Sequence, residues 1–319
     1  MRIERRRTNS GATTWWAERP DGSGRLDLAQ AHRCAGLDGV TEPGWQGTDL
    51  VGLLSDPDLL RSLRAAYDHA LGHADGACVS DADGGSPPTP GVGLFDVPRK
   101  LLGVGLNFPS HIAEAQRAGE PVQAPAQPTL FAKVPTALAG DGEEIAIPAF
   151  GTHLDYEVEL AVVIGATCRD VPVERARDVI AGATVVNDLS LRDVLFHGPN
   201  GMFEGKNYDG FLPMASTFVT SDEVGDLDEL VLESRVNGRI RQSERMGNAL
   251  FSPLEIVSFA SSRMTLQPGD VVFCGTPGGV GIFAEDPSSA LLKPGDVVEA
   301  SVVSLVAIRN VIGQQERQL

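Results

Sequence analysis

The stretch His153-Leu154-Asp155-Tyr156-Glu157-Val158-Glu159-Leu160-Ala161-Val162-Val163-Ile164 passes from alternating acids into an unbroken apolar run. The run is short and rich in β-branched residues, so it reads as a strand. Side chains alternate along a strand, so Glu157 and Glu159 leave it on the same side. Two carboxylates held together on a mostly apolar strand repel each other, and the pair needs a proton or a cation to be tolerable. The same spacing on an exposed strand would be merely solvated.

Similar short runs recur at Leu101 to Gly105, Thr184 to Val186, Val231 to Val236, Val271 to Phe273 and Val297 to Val306, and all read as strands. Helical spacing is seen at Leu59 to Leu71 (started by Asp56-Pro57), His111 to Ala118, Pro172 to Ala181 and Pro253 to Ser262. Strands dominate with helices interspersed, which gives an α+β fold. Near the start, Thr13-Thr14-Trp15-Trp16, the turn residues Asp21-Gly22-Ser23-Gly24 and Leu26-Asp27-Leu28 read as a hairpin. Three regions follow: a small N-terminal domain over 1–76, a Gly/Pro/Ser/Asp-rich linker or exposed loop over 77–93, and a larger region over 94–319. No internal repeat is present.

The formal net charge of −17 over 319 residues argues against a nucleic-acid partner, which needs clustered Lys and Arg. No run of about 18 apolar residues marks a membrane span. No signal-type apolar run follows Met1 to Arg7, so a cytoplasmic protein is expected. Cys34, Cys78, Cys168 and Cys274 form no Cys-x-x-Cys pair; all four are expected to be buried small hydrophobes rather than zinc ligands or disulfides.

Four further segments carry chemistry. In Val185-Val186-Asn187-Asp188 a carboxylate ends an apolar strand, where loops converge. Asp188 alone could equally be an Asx turn. With Glu157 and Glu159 it makes an all-carboxylate set suited to a hard cation, Mg²⁺ or Mn²⁺, with Ca²⁺ as an alternative. In Pro109-Ser110-His111-Ile112-Ala113-Glu114 a helix start places His111 and Glu114 as i, i+3 neighbours. A carboxylate on an imidazole fixes its tautomer and raises its basicity, as a water-activating base requires; most such pairs are surface helix contacts. Lys206 lies between Gly205 and Asn207, able to reach a pocket and stabilise negative charge or simply to sit solvated in a loop. Cys274-Gly275-Thr276-Pro277-Gly278-Gly279-Val280-Gly281 opens from a strand, so that backbone N–H groups and the Thr276 hydroxyl can approach a ligand. It lacks the Gly-Lys-Ser/Thr ending of a phosphate loop, and a tight structural turn is the competing reading.

Taken in order, His-x-x-Glu, Asp-Tyr-Glu-x-Glu-Leu-Ala-Val-Val-Ile-Gly, Asn-Asp-x-Ser-x-Arg-Asp, Gly-Lys and Gly-Thr-Pro-x-Gly-Val-Gly, the chain from Leu101 to Val311 resembles the fumarylacetoacetate hydrolase family. The resemblance implies a rolled mixed β-sheet with a smaller N-terminal α/β domain, and a homodimer. It implies Glu157, Glu159 and Asp188 as metal ligands, His111 and Glu114 as the water-activating pair, and Lys206 facing the substrate. Thr276, Gly275 and Arg192 would border a small 2-oxo acid. Phe131-Ala132-Lys133 matches a further family stretch, read as structural or peripheral. The implied reaction is hydrolytic cleavage of a C–C bond in an acylpyruvate-like β-diketo acid, with decarboxylation, isomerisation or dehydration at the same site as alternatives. A non-catalytic binding module would need a broken site, and every implied position holds a competent residue. The chain departs from the usual pattern where substrate would be read. Val194-Leu195 stands where the family commonly has a Gln, the loop Phe196 to Gly201 is atypical, and Asn207-Tyr208-Asp209-Gly210 replaces Ser-Phe-Asp-Thr.

Overall fold

The computed structural model describes residues 1–7, 13–21, 24–36, 47–72, 93–96 and 99–314. The segment read as a linker lies outside these residues apart from Gly93, as do Cys78 and the turn residues Gly22 and Ser23. The hairpin itself is present, since Thr13–Glu18 pairs antiparallel with Arg25–Asp27. The helix read over Leu59 to Leu71 spans Pro57–Gly72 and buries Leu63, Ala66, Tyr67 and Ala70.

Nine strands form one mixed sheet in the order Arg25–Asp27, Thr13–Glu18, Arg2–Arg7, Thr217–Thr220, Ile180–Asn187, Val158–Ile164, Val271–Phe273, Leu101–Gly105, Thr129–Lys133. Within it Val271–Phe273 and Leu101–Gly105 run parallel and the other pairs antiparallel. A second sheet orders Arg239–Arg245, Val231–Val236, Val297–Val302, Val306–Gln314 and Glu144–Ile147, with the last pair parallel. Arg2–Arg7 pairs with Thr217–Thr220, so the strands of the first region extend the large sheet.

The acidic stretch runs into a strand, Val158–Ile164, buried along its whole length. Leu160 and Val162 join Val185, Leu232, Ala300 and Ile308 in a core shared by the two sheets. Ala161 and Val163 face the opposite way, into a core with Trp15, Leu28 and Leu63. A strand covered on both faces needs a continuous apolar run, which is what the sequence has there. Glu157 and Glu159 share the parity of Ala161 and Val163 and therefore their side of the sheet.

Three expectations change. The segment Pro172 to Ala181 is a 3₁₀ helix only over Val173–Val179, and Ile180–Asn187 is strand. Pairing with Val158–Ile164 supplies a hydrogen-bond ladder and two buried faces, which outweigh weak local helical spacing. The run Val297 to Val306 is two strands, because Ser304 adopts φ 62° and turns the chain. Of the cysteines, Cys274 is buried, Cys168 half-buried and Cys34 exposed. Cys34 lies on the helix Leu28–Ala35, whose buried residues are Leu28, Ala29, Ala31 and His32. Among the described residues no helix is long and apolar enough to cross a membrane.

Candidate active site

Two strand ends bring the acids together. Val158 pairs with Asn187 and Glu159 with Val186, which sets Glu157 beside Asp188. The Asp188 N–H donates to the Glu157 carbonyl at 2.8 Å, and the Glu157 N–H donates to Asn187 Oδ1 at 2.9 Å. Carboxylate oxygens of Glu157, Glu159 and Asp188 thereby lie within 4.8 Å of one another, all buried.

Such a cluster must be compensated, because an unpaired charge in a low-dielectric interior is costly. Lys206 Nζ donates to Glu157 at 2.8 Å, to Asp188, and to Ser190 Oγ at 3.0 Å, so its three N–H bonds are all engaged. Arg192 donates to Glu157 at 2.6 Å and to Asp155 at 2.9 Å. Lys133 Nζ donates to Asp188 at 2.6 Å and to the Phe211 carbonyl at 2.6 Å. Burial alone would raise the Glu157 carboxyl, but Lys206 and Arg192 outweigh it and hold it well below the usual carboxylate range. The two lysines part company. Burial pushes Lys133 down to about 8 despite Asp188, whereas Asp188 and Glu157 together outweigh burial and raise Lys206. Glu159 is the exception among the acids. It accepts the Gly275 N–H at 2.6 Å, and among the described residues no salt bridge reaches it. Burial, then the charges of Asp188 and Glu157, push its carboxyl well above the usual range.

The helix Pro109–Arg117 places His111 Nδ1 2.8 Å from Glu114 Oε1, both buried, as the i, i+3 spacing predicts. The glycine-rich segment after Val271–Phe273 reaches the protein's own acids. The Gly275 N–H goes to Glu159, the Gly279 N–H to Glu114 at 2.7 Å, and the Gly281 N–H to Asp155 at 2.7 Å. The Thr276 hydroxyl accepts from Gln242 Nε2 at 2.7 Å. Gly279 has φ 106°, and a Cβ there would stand 2.1 Å from the Arg241 carbonyl oxygen. Gly279→Ala is therefore expected to destabilise the protein by about 1–3 kcal/mol. Differential scanning calorimetry would read this as a lower Tm.

These residues meet at a cavity of about 180 Å³ bordered by His111, Glu157, Glu159, Arg192, Lys206 and Thr276. Gly275 is tied to its floor through Glu159.

Three residues matter more here than the sequence suggested. Lys133, read as structural or peripheral, is a direct partner of Asp188. Its signal was a lysine closing the strand Thr129–Lys133, whose last position is buried. Asp155 accepts from Arg192, Tyr156, Gly281 and Ile282 and so anchors the glycine segment. Gln242 carries no motif, yet its side chain joins Val158, Ser234, Thr276 and Pro277. Lys133→Met would leave Asp188 with Lys206 alone, and losing one partner of a buried pair is expected to cost about 3–5 kcal/mol. A urea midpoint equal to that of the unmodified protein would show that Lys133 adds nothing to the cluster's balance.

Fold and site are those of an enzyme built around buried carboxylates. Residues 100–313 match the family described as fumarylacetoacetate (FAA) hydrolase C-terminal, and the chain belongs to that family. A 2,4-didehydro-3-deoxy-L-rhamnonate hydrolase of Sphingomonas sp. is 33% identical over 279 residues, 85% of this chain and 94% of its own. A fumarylacetoacetate hydrolase from Exiguobacterium antarcticum superposes with a TM-score of 0.75 at 26% identity, over 99% of this chain and 100% of its own. A maleylpyruvate hydrolase from Sphingobium sp. SYK-6, in complex with manganese(II) and pyruvate, does so with a TM-score of 0.72 at 25% identity over the same shares.

Proposed function

We propose that this chain is a divalent-metal-dependent hydrolase cleaving a C–C bond in a small acylpyruvate-like β-diketo acid. The observation that carries the reading is one cavity bordered by both the Glu157–Glu159 acids and His111, the partner of Glu114. Glu157, Glu159 and Asp188 would hold Mg²⁺ or Mn²⁺, with Ca²⁺ as the other hard cation suited to oxygen donors. The residues fit such an ion. Four buried acids, Asp155 included, face three buried bases, and among the described residues Glu159 is the acid of the four without a salt bridge. Bound there, a divalent ion would supply Lewis acidity to a chelating 2-oxo carboxylate. A neighbour solved with manganese and pyruvate supports this assignment.

The chain's own groups do the rest. Glu114 holds the imidazole through Nδ1, leaving Nε2 to take a proton from water as it attacks the distal carbonyl. The C–C bond breaks, its electron pair passes to the leaving enolate carbon, and a proton returns to that carbon. Lys206, once it releases a carboxylate, stabilises the oxyanion, and Arg192, Gly275 and Thr276 border the substrate's carboxylate end. Leu195, in the stretch that lacks the usual Gln, lines the cavity with an apolar side chain. That observation favours a second reading in which the same enolate chemistry gives decarboxylation, isomerisation or dehydration. Incubating the Mn²⁺-loaded protein with a panel of 2-oxo acids, followed by proton NMR, separates these outcomes. The expected result is a carboxylic acid and pyruvate from an acylpyruvate; CO₂ loss or isomerisation without cleavage would overturn the hydrolase reading. The reading includes a cytoplasmic homodimer, the assembly being open to sedimentation analysis.

A further inference from the structure

The cavity has two natures. Its floor is charged, while Leu195, Phe196, Met202 and Phe283 supply an apolar wall. Three of these four lie on the helices Arg192–His197 and Gly201–Lys206; Leu195 and Phe196 fall where the sequence departs from its family, and Met202 follows directly. The wall begins at the proposed base. The His111 ring lies 5.9 Å from Phe283, and Phe283 lies 6.3 Å from Phe196. An acyl arm whose carbonyl meets His111 would therefore continue along hydrocarbon surface.

The charges that could receive a polar arm are already engaged. Among the described residues, the lysine and arginine bordering the cavity are Lys206 and Arg192, each tied to buried carboxylates. Apart from His111 and the site acids Glu157 and Glu159, the ionisable group left on that border is another acid, Glu120. A distal carboxylate would lose water without gaining a counter-charge, and it would meet like charge. The volume agrees with a short arm: the whole cavity is about 180 Å³, close to the roughly 150 Å³ that takes one benzene ring, and the 2-oxo acid end fills part of it. Phe196 and Met202 are 38% and 39% exposed, so a longer arm could run outward over them.

We propose that the substrate's acyl arm is uncharged and apolar, a short alkyl or aryl group, so that the enzyme prefers hydrocarbon acylpyruvates over diacids. This rests on the 2-oxo acid reading given above. Hydrolysis balances without any co-reactant: water adds to the acyl carbonyl carbon, the bond to the methylene breaks, the methylene takes the electron pair and a proton, and pyruvate and the hydrocarbon carboxylic acid leave.

Two measurements on the full, Mn²⁺-loaded chain test this. Steady-state kinetics would compare acetylpyruvate, butanoylpyruvate, benzoylpyruvate and the diacid fumarylpyruvate. Each added methylene is expected to raise kcat/KM about fourfold until the wall is covered, and the distal carboxylate to lower it about 100-fold. Independently of turnover, 2-oxohexanoate should raise Tm more than 2-oxoglutarate. Met202→Lys, at a half-exposed site that tolerates charge, should invert both orders in favour of the diacids. A flat series, or diacids preferred by the unmodified protein, would overturn the proposal. Absence of cleavage with 2-oxohexanoate still bound more tightly would instead overturn the hydrolase reading and sustain the apolar wall.

Discussion

Glu159→Gln is expected to remove divalent-cation binding while leaving the metal-free fold at least as stable as the unmodified one. Glu159 is 1% exposed, it accepts the Gly275 N–H, its one hydrogen bond among the described residues, and Asp188 and Glu157 stand close by. Glutamine keeps the shape and can still accept that N–H, so no cavity opens and no donor is orphaned. What it removes is a charge that its neighbours oppose. The sign follows from the raised carboxyl. Its protonated form stabilises the fold below the ordinary value of 4.5, and that contribution is lost as pH rises toward the higher folded value. The variant lacks this slope, so its Tm in chelator should depend less on pH between 4.5 and that higher folded value. Losing an outer partner of a metal site costs roughly 10–100-fold in affinity, and a ligand should cost more. Titration calorimetry with Mn²⁺ checks the affinity. Unchanged binding would mean that the acids hold no ion together. Asp188→Asn should behave differently, because it strips a partner from both Lys133 and Lys206 and is expected to destabilise as well.

That contrast also marks what the sequence could and could not reveal. Period-two alternation is a local rule, and it put Glu157 and Glu159 on one side of a strand before any pairing was known. The i, i+3 relation of His111 and Glu114 is equally local and appears as a 2.8 Å contact. The approach of Asp188 to this pair depends on the register of Ile180–Asn187 against Val158–Ile164, which no spacing encodes; the order of motifs supplied it through the family resemblance. Compensation was the hidden part. Lys133 and Gln242 lie 55 and 84 residues from Asp188 and Val158, the groups they hold. Such partners are set by how the sheets fold over, so a buried lysine in Leu130-Phe131-Ala132-Lys133 looked incidental. The glycine segment was legible as a close backbone approach, but its object was not. Its N–H groups at Gly275, Gly279 and Gly281 meet three carboxylates of the protein itself. The misread helix at Pro172 to Ala181 has the same origin, an interior strand of the sheet claiming residues whose local pattern was weak.

The second large effect is expected at His111. Its ring is positioned by a chain of two bonds: Nδ1 to Glu114 Oε1 at 2.8 Å, and Glu114 Oε2 accepting the Gly279 N–H at 2.7 Å. Both carboxylate oxygens are thus engaged, and neither the acid nor the imidazole can turn freely. The order matters for catalysis, because a base contributes only if it is held at the water it deprotonates. His111→Ala should lower kcat on an acylpyruvate by roughly 10²–10⁴-fold, the usual contribution of a positioned general base. Mn²⁺ affinity should hold, since the imidazole is no part of the acid cluster. Glu114→Gln keeps a group of the same shape at the Gly279 N–H but weakens the hold on the ring, so a smaller loss, about 10–100-fold, is expected. Rapid-mixing kinetics under single-turnover conditions isolate the cleavage step from product release. Full turnover in His111→Ala would assign water activation to another group at the cavity, and the helix Pro109–Arg117 would then serve the site only through the tie between Glu114 and the glycine segment.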